Sequence, residues 1–184
     1  HKMLELTQIS EIRHFNHEFL TLIRSNPQDP ALSFDGIFNT TRIVQAINSL
    51  PQDGIAKLVR PSASLFFNAT VGEEPLNGAH HDWVSDYWSM ISSLSRQTPI
   101  DQFAVLTGLS ASQYLTVRDT PIHEVTHWAA RTVFGIRFPA RLWAVLSNHA
   151  VAPRLDPEMA PLIAAYAAAA GLSRYNDQHR RVAA

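Results

Sequence analysis

Two stretches of this sequence hold side chains whose types and spacing could do chemistry. The first is His123-Glu124-Val125-Thr126-His127. Residues four apart share one face of an α-helix, so two imidazoles there could bind zinc, with Glu124 as the base of a peptidase. The context argues the other way. With 9 His and 7 Glu in 184 residues, this pattern arises by chance in roughly one such sequence in sixty, too often to settle a mechanism. Pro121 puts His123 in the first helical turn, and His149, Asp156 and Glu158 stand in no second motif that would supply a third ligand. The competing reading makes His123 and His127 the flanks of an Ile122–Val125–Ala129 core stripe, and the chain is expected not to be an enzyme and to carry no cofactor.

The second stretch, residues 100–119, has the grammar of a DNA-binding helix-turn-helix. Ala104 is small where two helices would cross. Gly108 follows four residues later, where the chain must turn in a left-handed conformation. Phe103, Leu109, Tyr114 and Val117 fall at inward positions, and Thr107 is a poorer match at another. The second helix would then present Ser110, Ser112, Gln113 and Thr116 to a major groove, with Arg118 near its end. Glutamine can pair with adenine, and serine or threonine can hold phosphates or bases. Arg131, Arg137 and Arg141 are expected to hold phosphates. An ordinary pair of core helices can match the same pattern. His80-His81-Asp82 reads as a solvated helix start, with Asp82 near the positive end of the helix dipole. Trp83, Tyr87 and Trp88 read as core rather than as a ligand cage.

The elements that must position these residues are mostly helices. Ile9, Ile12, Phe15, Phe19, Leu22 and Ile23 predict an amphipathic helix over 7–25, stopped by Asn26-Pro27 and Asp29-Pro30. Shorter helices are expected around 32–38, 42–49 and after Pro51, with a strand at 63–67. Residues 72–81, rich in Gly, Pro and Asn, read as a boundary between modules. Beyond it a helix from Trp83 leads to Thr98-Pro99, then come the two helices around Gly108. A further helix is expected to open with Pro121 at its first position after a Thr120 cap, and a strand at 133–138.

The second half repeats the order of the first. At an offset of 69 to 70 residues Pro30 falls on Pro99, Phe34 on Phe103, Pro51 on Pro121 and Ile55 on Val125; Phe19-Leu20 lies 68 residues before Tyr87-Trp88. The expected architecture is therefore mainly α. Two tandem modules, 3–72 and 82–150, carry helix-turn-helix-like units and one short strand each, and a C-terminal helix with a basic tail fills 157–184. The two strands can pair with each other, because a lone strand leaves its backbone groups unsatisfied. One duplicated chain would then mimic a two-fold dimer.

Composition narrows the classes. Apolar residues make up 46% and charged residues 17% of the chain, which fits a folded protein rather than a disordered tail. The absence of cysteine excludes disulfides and Cys-based zinc sites and suits a cytoplasmic protein. His1-Lys2 reads as a tag remnant ahead of Met3, and no apolar run reaches the ~20 residues a bilayer needs. Net charge is −1, but residues 1–110 carry 7 basic and 11 acidic side chains, whereas residues 111–184 carry 8 and 5. All eight of the latter are arginines, the residue suited to phosphates and guanine edges.

With those residues assembled, the chain resembles FlhD, the subunit of the flagellar master transcription activator, and its relatives on mobile elements. The likeness runs through Phe103–Leu109, Ser110–Arg118, Thr120-Pro121 to Trp128-Ala129 and Ile136-Arg137-Phe138. It recurs in Phe34 to Ile37, Ile43–Ile47, Ser49-Leu50-Pro51, Ile55–Leu58 and Leu65-Phe66-Phe67. The chain departs from the family in being doubled, in lacking cysteine and in carrying the tail 157–184. The resemblance implies double-stranded DNA as ligand, an FlhC-like zinc-bearing protein partner, and a homo- or hetero-oligomer that regulates transcription, most simply as an activator. The alternatives are the zinc peptidase and an assembly module that binds no DNA, for which the stripe Ala160, Ala164 and Ala168 is the best support.

Overall fold

Apolar residues three and four apart make the first element. In the computed structural model, which describes residues 6–25, 55–56, 64–76 and 80–137, helix α1 (Leu6–Ser25) buries Ile12, Phe15, Asn16, Phe19, Leu20 and Ile23 along one stripe. Helix α2 (His81–Gln97) does the same with Val84, Tyr87, Trp88, Ile91 and Leu94. It begins as expected, with Asp82 in its first turn. It ends where Thr98 turns extended ahead of Pro99, because a residue before proline is pushed out of the helical region.

Helix α3 (Ile100–Thr107) stops at Gly108, whose φ of 69° lies in the left-handed region. Helix α4 (Ala111–Asp119) follows from a Ser110 cap. The helix expected after Thr120 is shorter than its apolar stripe suggests: α5 covers only Ile122–Val125 and gives way to a 3-10 turn over Thr126–Arg131. Pro121 is the N-cap of α5 rather than its first helical residue. The Thr126 hydroxyl donates to the His123 carbonyl at 3.0 Å, competing for the acceptor that an α-helix would give to the His127 N–H.

Two strands complete the fold. β1 (Phe67–Val71) pairs antiparallel with β2 (Thr132–Ile136), in the register Phe67 to Ile136, Ala69 to Phe134 and Val71 to Thr132. The expected pairing between the two halves is thus present. β1 starts later than the 63–67 expected, because residues 64–66 are held by Asn16 and by the end of α3 instead. The Asn16 amide donates to the Ser64 carbonyl and accepts from the Phe66 N–H, each at 2.8 Å, and the Leu65 N–H donates to the Leu106 carbonyl at 2.8 Å. A two-stranded sheet is marginal by itself in water. Here Phe67 and Phe134 bury against Phe19 and Tyr87, and both halves contribute to one hydrophobic cluster. Residues 72–76, within the expected boundary, are tied back by Gly72 N–H to the Arg131 carbonyl and Leu76 N–H to the Ala130 carbonyl. The helices expected at 32–38 and 42–49, and the tail 157–184, lie outside the described residues.

Candidate helix-turn-helix face

The two helices around Gly108 are built as their sequence predicts. Ala104 is buried at the crossing, Phe103 and Leu109 are fully buried, and the Phe103 and Tyr114 rings meet edge-on at 5.0 Å. Thr107, the apparent mismatch, is buried without cost to its polar group: its hydroxyl donates to the Phe103 carbonyl at 2.8 Å and accepts from the Leu109 N–H at 3.1 Å. The Tyr114 hydroxyl donates to the Thr98 carbonyl at 3.1 Å, which anchors α4 to the end of α2.

Three of the side chains expected to meet DNA have other tasks. Ser110 is buried, and its hydroxyl accepts from the Gln113 N–H at 3.0 Å. The Gln113 side chain accepts from the Ser110 N–H at 2.9 Å and donates to the Ala69 carbonyl of β1 at 3.2 Å. Together these form a capping box, which satisfies two backbone donors reciprocally while the same glutamine holds the sheet. Arg137 is 8% exposed. Its guanidinium donates to the carbonyls of Leu65 at 2.9 Å, Leu106 at 3.3 Å and Val105 at 3.1 Å, so it closes the end of α3 from inside instead of reaching a phosphate.

What remains outward on α4 is a different set. Ser112, Leu115, Thr116, Arg118 and Asp119 are exposed. Leu115, at 44%, is one of few large apolar side chains so exposed among the described residues. The sequence signal for it was present: Tyr114 and Val117 must turn inward, which leaves position 115 on the far side of the helix. The Thr116 hydroxyl donates to the Ser112 carbonyl. Arg118 pairs with Asp119 at 3.1 Å and lies 5.6 Å above the Tyr114 ring; the hydrogen bond to Asp119 holds its pKa above the ordinary value. Arg131 is half-buried, and Arg141 lies outside the described residues.

Among the described residues His123 and His127 are not joined by a third metal-ligating side chain. Both are exposed, the α-helix that would align them ends at Val125, and the nearest ion pair is His123 with Glu124 at 4.0 Å. Among the described residues no three His, Asp or Glu side chains gather at one point. Of the expected core stripe, Val125 and Ala129 are buried but Ile122 is 48% exposed, so the stripe begins at Val125; Trp128 packs edge-on to Trp88 at 5.2 Å. His149, Asp156 and Glu158 lie outside the described residues. No helix among the described residues is long and apolar enough to cross a membrane. The chain matches no protein-family model, no curated protein and no solved structure.

Proposed function

We propose that this protein is an FlhD-like transcription regulator that reads double-stranded DNA through the outer face of α4, together with an FlhC-like partner protein. The observation that supports this reading is the pair α3 and α4 itself. A left-handed glycine and a capping box hold α4 rigidly, and Ser112, Leu115 and Thr116 stand outward on one face with no buried role. A short helix anchored from behind and bare in front is what a major groove accepts. The outward chemistry is hydroxyl and methyl rather than amide, which suits thymine methyl groups and phosphates. Arg118 is the nearest exposed cation, and a net charge of −1 supplies little non-specific attraction. Tight binding is therefore expected only at a cognate site or beside the partner. Selection of bound sequences from a random duplex pool, with and without an FlhC-like protein, tests the reading. Enrichment of a motif that disappears in a Leu115/Arg118 double variant supports it, and no enrichment under either condition rejects it.

A second reading rests on the same exposed leucine. Leu115 and Ile122, 44% and 48% exposed, would form part of a protein-docking face, and the chain would then be an assembly module. It would capture the partner protein with no DNA present and enrich no sequence.

A further inference from the structure

The aromatic rings between α1 and α2 repeat in the way that a two-fold axis produces. At an offset of 68 residues Phe15, Asn16, Phe19, Leu20 and Ile23 of α1 fall on Trp83, Val84, Tyr87, Trp88 and Ile91 of α2, and all ten are buried or half-buried. In a two-fold interface a residue that meets its neighbour's counterpart must find the relation returned. Phe15 meets its own counterpart Trp83 with ring centres 5.8 Å apart. It also meets Tyr87, the counterpart of Phe19, at 6.2 Å, and the reciprocal pair Phe19 and Trp83 lies at 6.4 Å. Phe19 and Tyr87 each touch a phenylalanine from both strands, at 4.1 and 5.8 Å for Phe19 and 5.5 and 5.2 Å for Tyr87.

The sheet joins the same two halves. Phe67 and Ile136 face each other directly in the ladder and are 69 residues apart, one more than the offset that relates α1 to α2. From this pair the ladder extends one step to the Arg137 N–H to Phe66 carbonyl bond and five steps the other way to the Gly72 N–H to Arg131 carbonyl bond.

We propose that the chain closes on itself the kind of interface by which two identical subunits make a dimer, so that one chain is the complete unit and needs no second copy at this sheet. The inference stands apart from the DNA reading, since it rests on the interior alone. The two halves are also made unlike at the points that pin each strand. Asn16 holds the backbone at Ser64 and Phe66, whereas its counterpart is Val84, which can hold neither. The second strand is held instead by Trp88, whose indole N–H donates to the Thr132 hydroxyl at 2.8 Å; its counterpart is Leu20. A buried polar residue at one of two equivalent positions favours the pairing that satisfies it over the pairing that leaves a group bare. First half with second half is therefore the favoured match.

The absence of cysteine makes the test clean. In the full chain, Thr70→Cys with Val133→Cys places two thiols on a directly hydrogen-bonded pair, within the Cα separation a disulfide accepts. Asn68→Cys with Gly135→Cys is a second such pair, and Asn68→Cys with Val133→Cys, two residues out of register, is the control. Oxidation of either in-register pair is expected to give a disulfide within one chain, with faster migration on a non-reducing gel. Light scattering of the unmodified protein is expected to give the single-chain mass of 20.5 kDa across a hundredfold range of concentration. Covalent dimers from both in-register pairs, a dimer mass in solution, or efficient closure of the control pair alone would each overturn the proposal.

Discussion

Arg137 occupies the space that a side chain at position 108 would need. A Cβ on Gly108 would lie 2.6 Å from the Arg137 Nε and 2.8 Å from its Cδ, and the guanidinium beyond them reaches the carbonyls of Val105, Leu106 and Leu65. One side chain after β2 thus ties the last turn of α3 to the peptide ahead of β1. Glycine is required at 108 twice, by its positive φ and by the arginine that passes it.

The two requirements can be separated by a double-mutant cycle. Gly108→Ala is expected to cost about 1–2 kcal/mol from the left-handed backbone alone and more from the displaced arginine. Arg137→Ala should cost about 3 kcal/mol, because it strips a charged donor from three buried carbonyls. In the double variant the steric part vanishes, so the loss should fall short of the sum by about 1 kcal/mol. Urea denaturation of the four proteins measures this, and losses that add within about 0.5 kcal/mol would show that residues 108 and 137 do not interact.

Gln113→Ala is expected to act on stability and leave sequence preference alone. It removes half of the capping box and the bond to the Ala69 carbonyl, together about 1–2 kcal/mol. The check is a denaturation midpoint beside a selection experiment. A changed DNA motif with an unchanged midpoint would return Gln113 to the reading face.

Leu115→Ala should do the reverse. Surface changes away from packed features usually shift stability by less than about 0.5 kcal/mol. Loss of an apolar contact with a thymine methyl should weaken the selected site by about 1 kcal/mol, several-fold in affinity. Replacing thymine by deoxyuridine at the matching position should weaken the native protein equally and the variant no further. Competition binding reads both, and a variant that responds to deoxyuridine as the native protein does would move the contact elsewhere.

Tyr87 predicts the alkaline behaviour. Burial pushes its phenol far above the ordinary value of 10.0, against a smaller opposing pull from Arg137. The folded state therefore holds the proton that the unfolded chain releases, so stability is full below pH 10 and declines above it, at up to about 1.4 kcal/mol per pH unit. Its hydroxyl has no hydrogen-bond partner among the described residues, so Tyr87→Phe should be neutral or stabilising at pH 7 and increasingly favourable above pH 10. Stability curves of the two proteins that run parallel to pH 11 would mean that this phenol ionises freely in the fold.

Much of this architecture was legible in the chain. Local rules sufficed for α1 and α2, whose buried stripes follow from apolar spacing, and for the turn at Gly108, where one residue type alone fits the backbone. The pairing of two strands from opposite halves was also foreseeable, because an isolated strand has nowhere to send its hydrogen bonds. Local rules failed where a side chain answers to a partner far along the sequence. Nothing near Gln113 announces that β1 lies behind it, and nothing near Arg137 announces three carbonyls from two distant segments. Read by type, both looked like hands held out to DNA. Residue type determined that these side chains would donate hydrogen bonds. Only the folded chain decided to whom, because a buried carbonyl costs more to leave unpaired than a surface contact returns, and the fold claims the donors it needs first.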